Sequence, residues 1–177
     1  MPGLPVVGKA HEEGRAGAPF VWFIYGSSLD RDAFAHWAGE HGYRVPDFSA
    51  ARPARLDGFR LAFDVQSRFW GGAVASLREA PGESVEGLAL PMPGDARGLV
   101  DHKEGAISGL YTMMPVEVTA LDGGEKLAAV AYRAARPFRS PDGRELPPSR
   151  AFVETLVKGA RASGLSAAWV DRLQRLL

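Results

Sequence analysis

The feature that most constrains the fold is a short, wholly apolar run near the start of the chain, Phe20-Val-Trp-Phe-Ile-Tyr25. A proline precedes this run and a glycine follows it, which is typical of a buried central strand. The next residues, Gly26-Ser-Ser-Leu29, offer Ser27 or Ser28 as a helix N-cap. The sequence therefore predicts a buried strand, a tight loop and a helix that starts on the loop and reaches Gly42.

The rest of the chain alternates short apolar runs with turn residues, which predicts several strands on close spacing. Asp122-Gly-Gly124 is a hairpin signal. Strands are predicted over residues 54–64, 72–77, 85–90, 111–121 and 126–134, a short helix over 95–103 with Asp95 as its cap, and two C-terminal helices capped by Ser149 and Ser166, the second ending at Leu177. These elements predict an α+β fold, a small barrel-like mixed β-sheet with flanking helices.

Length and composition indicate one domain. The chain has 177 residues, 46% of them hydrophobic, which is enough for a real core. Residues 1–18 are rich in Gly, Ala and Pro and are predicted to be a disordered leader, with a single domain over 19–177. Strand-helix alternation is missing from the middle of the chain, and no Gly-x-Gly-x-x-Gly or Walker loop occurs, which argues against a doubly wound nucleotide-binding fold.

The charge pattern narrows the classes of partner. Lys plus Arg number 21 and Asp plus Glu number 21, so the basic excess that nucleic-acid binding needs is absent. The longest apolar stretch is far shorter than the roughly 20 residues that span a bilayer, so we predict no membrane partner. The chain has no cysteine, which excludes thiolate chemistry and suits a cytoplasmic location. A small-molecule ligand is the expected partner.

Two distant segments carry the candidate chemistry. Glu104 lies beside Gly105 and seven residues before Tyr111. About eighty residues earlier, the loop Gly26-Ser27-Ser28 follows a strand and offers backbone N–H groups that can hold a carboxylate or a developing oxyanion. A general base that faces N–H donors is what a reaction at an acyl carbon requires. The pair predicts an active site where the two segments meet.

Each segment also has a simpler interpretation. The loop can be an ordinary capped turn, and Glu104 can be a solvated residue at a helix end. Asp101 and His102 offer metal ligands, but no second His cluster lies nearby, so we predict no metal site. A triad of Ser27 or Ser28 with His102 and an Asp stays open on spacing, although the Gly-x-Ser-x-Gly elbow is missing.

Five segments, taken in order and spacing, resemble the γ-glutamylcyclotransferase family over about residues 20–177. The loop segment is similar to the family's Tyr-Gly-Ser-Asn-Leu, with Ser28 in place of Asn, and the Glu104 segment is similar to its Leu-Asp-x-x-Glu-Gly followed by Tyr. The five are Phe23-Ile-Tyr-Gly-Ser-Ser-Leu29, Trp70-Gly-Gly-Ala73, Val85-Glu-Gly-Leu88, Asp101-His-Lys-Glu-Gly-Ala-Ile-Ser-Gly-Leu-Tyr111, and Pro147-Pro-Ser with Leu156-Val-Lys-Gly-Ala160 and Gly164-Leu165.

The resemblance implies a barrel-like α+β enzyme that cyclises a γ-glutamyl compound to 5-oxoproline and releases an amine or amino acid. It implies that Glu104 is the catalytic acid/base, and that the substrate is bound by Tyr25, Gly26, Ser27, Ser28 and Leu29 of the loop, with Tyr111, Tyr132 and Phe152 around the pocket. Phe152 stands where members of the cyclotransferase subgroup often have Tyr. Attack by the substrate's own α-amine closes a favoured five-membered ring, so no cofactor is expected. A homodimer is left open.

Two other functions stay open at the level of sequence. One is a γ-glutamyl-binding or regulatory module without turnover, against which the presence of Glu104 argues. The other is a γ-glutamyl amide hydrolase that would release free glutamate. A further hypothesis concerns the loop Arg136–Pro148, which is long, rich in Pro and Arg and directly precedes the helix with Phe152. We expect it to be a partial lid whose arginines meet an acidic leaving group.

Overall fold

The computed structural model describes residues 17–177. Residues 1–16 of the leader predicted over 1–18 therefore lie outside the described residues. The single-domain boundary near residue 19 stays a prediction. The described chain forms five strands and four α-helices, joined in part by short 3₁₀ turns. They are β1 (Phe20–Ile24), α1 (Arg31–Glu40), β2 (Arg52–Ser67), β3 (Gly72–Met92), α2 (Arg97–Lys103), β4 (Tyr111–Ala120), β5 (Lys126–Ala134), α3 (Arg150–Ala162) and α4 (Ala167–Gln174).

The five strands close into a barrel in the order β1-β3-β2-β4-β5. Neighbouring strands are antiparallel, except that β5 closes on β1 in parallel where Trp22 lies opposite Val130. The apolar run that opens the fold is the most buried strand, and Trp22 in it is fully buried. Closure leaves the mixed sheet without an open edge at β1. The predicted fold class, a barrel-like sheet with flanking helices, is confirmed.

The prediction of two separate strands at 72–77 and 85–90 is wrong, because both belong to the single strand β3. Between them lie Pro81 and Gly82, which are typical of a turn. In the structure β3 pairs with β2 on both sides of this point, from Leu56 opposite Val85 to Phe59 opposite Glu79. Between these pairs the register is irregular, with Gly58 of β2 against residues 80–83 of β3, and proline is tolerated where the ladder is interrupted in this way.

Three helix ends also differ from the prediction. Helix α1 begins at Arg31, and its N-cap is Asp30, whose carboxylate accepts hydrogen bonds from the N–H groups of Asp32 (3.2 Å) and Ala33 (3.3 Å). Asp95 lies in a 3₁₀ turn before α2 and makes no capping bond. Helix α4 ends at Gln174, three residues before the predicted end. The cause at α1 is competition between neighbouring capping side chains, since an Asp satisfies N-terminal N–H groups as well as a Ser.

The other predicted elements are present. The hairpin of β4 and β5 turns at the Asp122-Gly-Gly124 segment, and Ser149 and Ser166 cap α3 and α4 by accepting from the N–H groups of Phe152 and Trp169. No helix within residues 17–177 is long and apolar enough to cross a membrane.

Candidate active site

A cavity of about 280 Å³ opens where the loop after β1 meets the C-terminal end of α2. The two segments singled out in the sequence therefore border one space. Its walls come from β1 and the loop, from β2 and β3 with the turn between them, from the end of α2, and from β4 and α3. The lining residues are Ile24, Tyr25, Gly26, Ser27, Ser28, Ser67, Phe69, Trp70, Val74, Ala75, His102, Lys103, Glu104, Gly105, Leu110, Tyr111 and Phe152.

Glu104 is the last residue of the turn that ends α2, where its N–H donates to the carbonyl of Val100 at 2.9 Å. Gly105 then adopts a φ of +65°, a left-handed conformation that suits glycine and turns the chain away from the helix axis. The Glu104 side chain makes no hydrogen bond or ion pair with another side chain within residues 17–177. Its carboxyl group is thus fixed through its backbone and unpartnered at the cavity.

Burial among protein atoms raises the pKa of Glu104 from 4.5 to about 7, and the neighbouring Lys103 ammonium partly opposes this shift. Desolvation disfavours the charged carboxylate, so the group changes its protonation state near neutral pH. A general acid/base works best when its pKa lies near the working pH. Glu104 can therefore both accept and return a proton in this cavity.

The loop that follows β1 and also lines the cavity contains a single 3₁₀ turn, Ser27–Leu29. The N–H of Leu29 donates to the carbonyl of Gly26 and the N–H of Asp30 to that of Ser27, each at 3.1 Å. The N–H groups of Gly26, Ser27 and Ser28 make no main-chain hydrogen bond within the described part of the chain. Because α1 begins later, at Arg31, these donors belong to the turn and not to the α-helix terminus that the sequence predicted.

Helix α3 holds this loop in place through a glycine. A Cβ atom on Gly159 would lie 2.5 Å from the carbonyl carbon of Leu29 and 2.6 Å from the nitrogen of Asp30, so no other residue allows the same approach. The adjacent Lys158 donates to the carboxylates of Asp30 and Asp32, both at 3.1 Å. Positioning of the loop after β1 is thus the structural role of the Leu156–Ala160 segment, which is part of the sequence resemblance to the γ-glutamylcyclotransferase family.

Two tyrosines lie at the buried side of the cavity and are anchored to main-chain oxygens. The hydroxyl of Tyr25 donates to the carbonyl of Tyr132, and the hydroxyl of Tyr111 donates to the carbonyl of Ala75 at 2.7 Å. Burial raises the pKa of both phenols well above the usual value, and the nearby Glu104 carboxylate adds to the shift. Both hydroxyls are therefore neutral, and each keeps lone pairs that can accept a hydrogen bond from a ligand.

Tyr132 is not among the residues that line the cavity, and its predicted role in substrate binding stays a prediction. Its side chain is 1% exposed, and its hydroxyl donates to the carboxylate of Asp101 in α2. Through its carbonyl, Tyr132 also holds the hydroxyl of Tyr25. Residues next to each other on a strand point to opposite faces, and the sequence alone did not show which face Tyr132 takes. Tyr132 thus supports the cavity through the hydrogen bonds that it makes with Tyr25 and Asp101.

Phe152 lines the cavity as predicted by the resemblance, but as part of an apolar wall. Its ring meets Trp70 edge-on with the ring centroids 5.2 Å apart, and it contacts Phe63 in the same manner. Phe152 is the third residue of α3 and lies in its first turn, where its N–H donates to the Ser149 cap. This side of the cavity is apolar and offers no hydrogen-bonding side chain at residue 152.

Lys103 and His102 also line the cavity. His102 is a candidate metal or triad residue in the sequence, whereas no sequence feature singled out Lys103. Burial lowers the pKa of Lys103, and its ammonium lies 5.1 Å from the centre of the Trp37 ring. His102 is held by the hydroxyl of Tyr43, 3.0 Å from Nδ1, and makes no hydrogen bond to Ser27 or Ser28 within residues 17–177. The structure thus gives no support to a serine triad.

The predicted lid is wrong, since none of residues 136–148 lines the cavity. The segment runs along the barrel instead. Backbone hydrogen bonds fix it there: Ser140 N–H to the Asp64 carbonyl (2.9 Å), Leu146 N–H to the Phe63 carbonyl (2.8 Å), and Ala73 N–H to the Pro147 carbonyl (3.0 Å). Within the described residues, no three His, Asp or Glu side chains come together as metal ligands.

An unpartnered carboxyl group that shares a small cavity with residues whose main-chain N–H groups are unbonded suits acid–base chemistry at an acyl group. The model of the AIG2-like family matches residues 84–173, which is half of the chain and includes Glu104. The chain belongs to the AIG2-like family.

Alignments with individual proteins extend over nearly the whole chain. The chain is 26% identical to a γ-glutamylcyclotransferase of Mus musculus over 167 residues, covering 92% of this chain and 81% of the relative. It is 26% identical to that of Homo sapiens over 161 residues, covering 89% and 78%. A solved structure described as a γ-glutamyl cyclotransferase superposes with a TM-score of 0.73 at 24% identity, covering 88% of this chain and 86% of that one, and shares the fold.

Proposed function

We propose that this chain is a γ-glutamylcyclotransferase, which converts a γ-glutamyl amino acid or amine to 5-oxoproline and the free amine. The observation that carries the proposal is the placement of Glu104, an unpartnered carboxyl group with a pKa of about 7, in one cavity with the N–H donors of Gly26–Ser28. The similarity to γ-glutamylcyclotransferases over about nine-tenths of the chain supports it.

The proposed reaction begins when the Glu104 carboxylate takes a proton from the substrate's α-ammonium group. The amine so formed attacks the γ-carbonyl carbon, and the carbonyl oxygen becomes an oxyanion. Glu104 then returns its proton to the departing nitrogen, the bond between that nitrogen and the γ-carbon breaks, and the ring carbonyl re-forms. Of the three protons on the ammonium group, one stays on the ring nitrogen, one passes through Glu104 to the departing nitrogen, and the third leaves the ring nitrogen for solvent as the ring carbonyl re-forms. One side chain thus serves as base and then acid.

Two polar surfaces would hold the substrate for this step. The N–H groups of Gly26, Ser27 and Ser28 suit the glutamyl α-carboxylate or the oxyanion, and one donor in an oxyanion site contributes about 3–4 kcal/mol in other acyl-transfer enzymes. The hydroxyl oxygens of Tyr25 and Tyr111 already donate to main-chain carbonyls, so they would accept from the substrate ammonium.

The leaving group would lie toward Lys103. Lys103 is the one Lys or Arg among the residues that line the cavity, and it has no ion pair within residues 17–177, whereas Lys126 and Lys158 both pair with carboxylates. A γ-glutamyl amino acid has a second carboxylate that this ammonium can neutralise, and a γ-glutamyl amine does not. We therefore propose amino acids as the preferred leaving groups.

The test is product analysis on a panel of γ-glutamyl dipeptides and γ-glutamyl amines with the purified protein. We expect 5-oxoproline, detected by mass, together with an equal amount of free amine. Release of glutamate in place of 5-oxoproline would establish the hydrolase, and saturable binding without any product would establish the binding module.

A further inference from the structure

A second cavity, of about 470 Å³, lies beside the start of β4 and the end of β5 and shares no lining residue with the Glu104 cavity. Half of its lining residues are arginines, contributed by β3, β5 and the segment that follows β5. Its wall consists of Arg78, Glu79, Thr112, Arg133, Ala134, Ala135, Arg136 and Arg139. We call it the arginine cavity. The segment predicted to be a lid supplies two of the four arginines.

Two of the guanidinium groups are held in place by hydrogen bonds to neighbouring protein groups. Arg78 donates through Nε to the carboxylate of Asp64 at 2.6 Å, and the Asp64 side chain is fully buried. Arg139 donates through Nε to the carbonyl of Ala134 at 2.8 Å. Since each guanidinium has five N–H donors, these anchors leave most donors available. A side chain that is already ordered loses little conformational entropy when a ligand binds.

The other two arginines are weakly engaged. The Arg133 guanidinium lies 3.6 Å from the Glu79 carboxylate, and the Glu79 side chain is 76% exposed, so solvent screens this pair. Arg136 is exposed and makes no ion pair within residues 17–177. Four positive charges thus meet two carboxylates, Glu79 and Asp64, in a chain whose charges balance overall at 21 and 21.

We propose that the arginine cavity is a binding site for a small oxyanion with two or more negative charges, of the phosphate or polycarboxylate type. Guanidinium groups bind such oxygens with paired, charge-assisted hydrogen bonds, and several around one cavity favour multivalent over monovalent anions. Thr112 adds a hydroxyl that can donate to the same ligand. The inference does not depend on the proposed reaction, because none of these residues lines the Glu104 cavity.

The experiment is calorimetric titration of the purified full chain with inorganic phosphate and with citrate, at constant ionic strength, with acetate as the monovalent comparison. We expect saturable binding of phosphate or citrate that is tighter than that of acetate. Arg136→Ala is expected to weaken it by about fivefold or more, since one charge-assisted contact is lost. The Arg136 side chain makes no hydrogen bond or ion pair within residues 17–177 that the substitution would break, and Arg133→Gln provides a second variant.

Arg175→Ala is the matched control, because Arg175 is an exposed arginine at the end of α4 and lies outside both cavities. Unchanged binding in this variant supports a specific site. The proposal is overturned if neither phosphate nor citrate binds saturably, or if Arg175→Ala weakens binding as much as Arg136→Ala.

Discussion

The two cavities of this barrel differ in how their charged side chains are paired and buried. In the Glu104 cavity a single carboxyl group lies without a partner, and burial raises its pKa to about 7. In the arginine cavity the most buried charges are paired, as Arg78 and Asp64 are, and the rest remain near solvent. Burial without a partner raises the pKa of a carboxyl group toward neutral pH. Paired and exposed groups keep their charge and can attract ligands of opposite charge. The first arrangement suits proton transfer and the second suits binding.

The largest effect that this comparison predicts is on turnover. Glu104→Gln keeps the size of the side chain but removes its titratable group, so we expect 5-oxoproline formation to fall by about a hundredfold or more while substrate affinity changes far less. Glu79→Gln removes the carboxylate of the arginine cavity and is the control, with turnover unchanged. Steady-state kinetics on both variants check this, and a similar loss in the two would remove the distinction between the cavities.

A smaller effect is expected where helix α3 touches the loop. Gly159→Ala puts a Cβ atom into the backbone of Leu29 and Asp30, which must shift and carry the N–H donors of Gly26–Ser28 with them. We expect the Michaelis constant for a γ-glutamyl dipeptide to rise about tenfold, with a loss of stability of about 1–3 kcal/mol from overpacking. Gly39→Ala in α1 is the control, since its Cβ meets nothing within 4 Å. Equal Michaelis constants in both variants would show that α3 does not position the loop.

A third prediction concerns stability and pH. The folded protein binds a proton at Glu104 up to about pH 7, and a model carboxyl only up to about 4.5, so the free energy of unfolding falls as pH rises between these values. Glu104→Gln removes that loss. We expect it to stabilise the protein by about 1–3 kcal/mol at pH 8, less than the full shift gives because the group reaches solvent through the cavity, and by far less at pH 4.5. Urea unfolding at the two pH values measures this, and an equal effect at both would contradict the raised pKa.

The smallest effect is expected from the arginine cavity on catalysis. Because Arg136 does not line the Glu104 cavity, Arg136→Ala should leave turnover of neutral and acidic γ-glutamyl dipeptides within about twofold of the wild type. The same kinetic assay, run in the absence of multivalent anions, checks this. A selective loss of turnover with acidic dipeptides would contradict this prediction and would favour a lid role for Arg136.

Much of the fold could be predicted from local sequence. The apolar run before Gly26 and the Asp122-Gly-Gly124 hairpin each contain their own signal, and both gave the correct strands. Local signals failed where a distant partner decides the outcome. Pro81 and Gly82 are typical of a turn, yet pairing with β2 on both sides keeps β3 continuous across an irregularity in the register.

The candidate site was predictable in part for the same reason. Glu104 and the loop were singled out from their own residues, but nothing local showed that Gly159 would press on Leu29 or that Tyr132 would turn away from the cavity. The arginine cavity was beyond reach, since Arg78 and Arg139 lie some sixty residues apart and meet only when the barrel closes. Side-chain direction and long-range packing were the missing information.

The most direct test of the account is the pH dependence of kcat/KM for 5-oxoproline formation, which reports the ionisation of groups in the free enzyme. Because the base must be deprotonated, we expect the wild type to lose activity as pH falls, with a midpoint near the pKa of about 7 assigned to Glu104, and we expect this limb to be missing from the residual activity of Glu104→Gln. A wild-type profile that stays flat from pH 8 down to 5, or the same acid limb in the Gln variant, would contradict the assignment of Glu104 as the proton carrier.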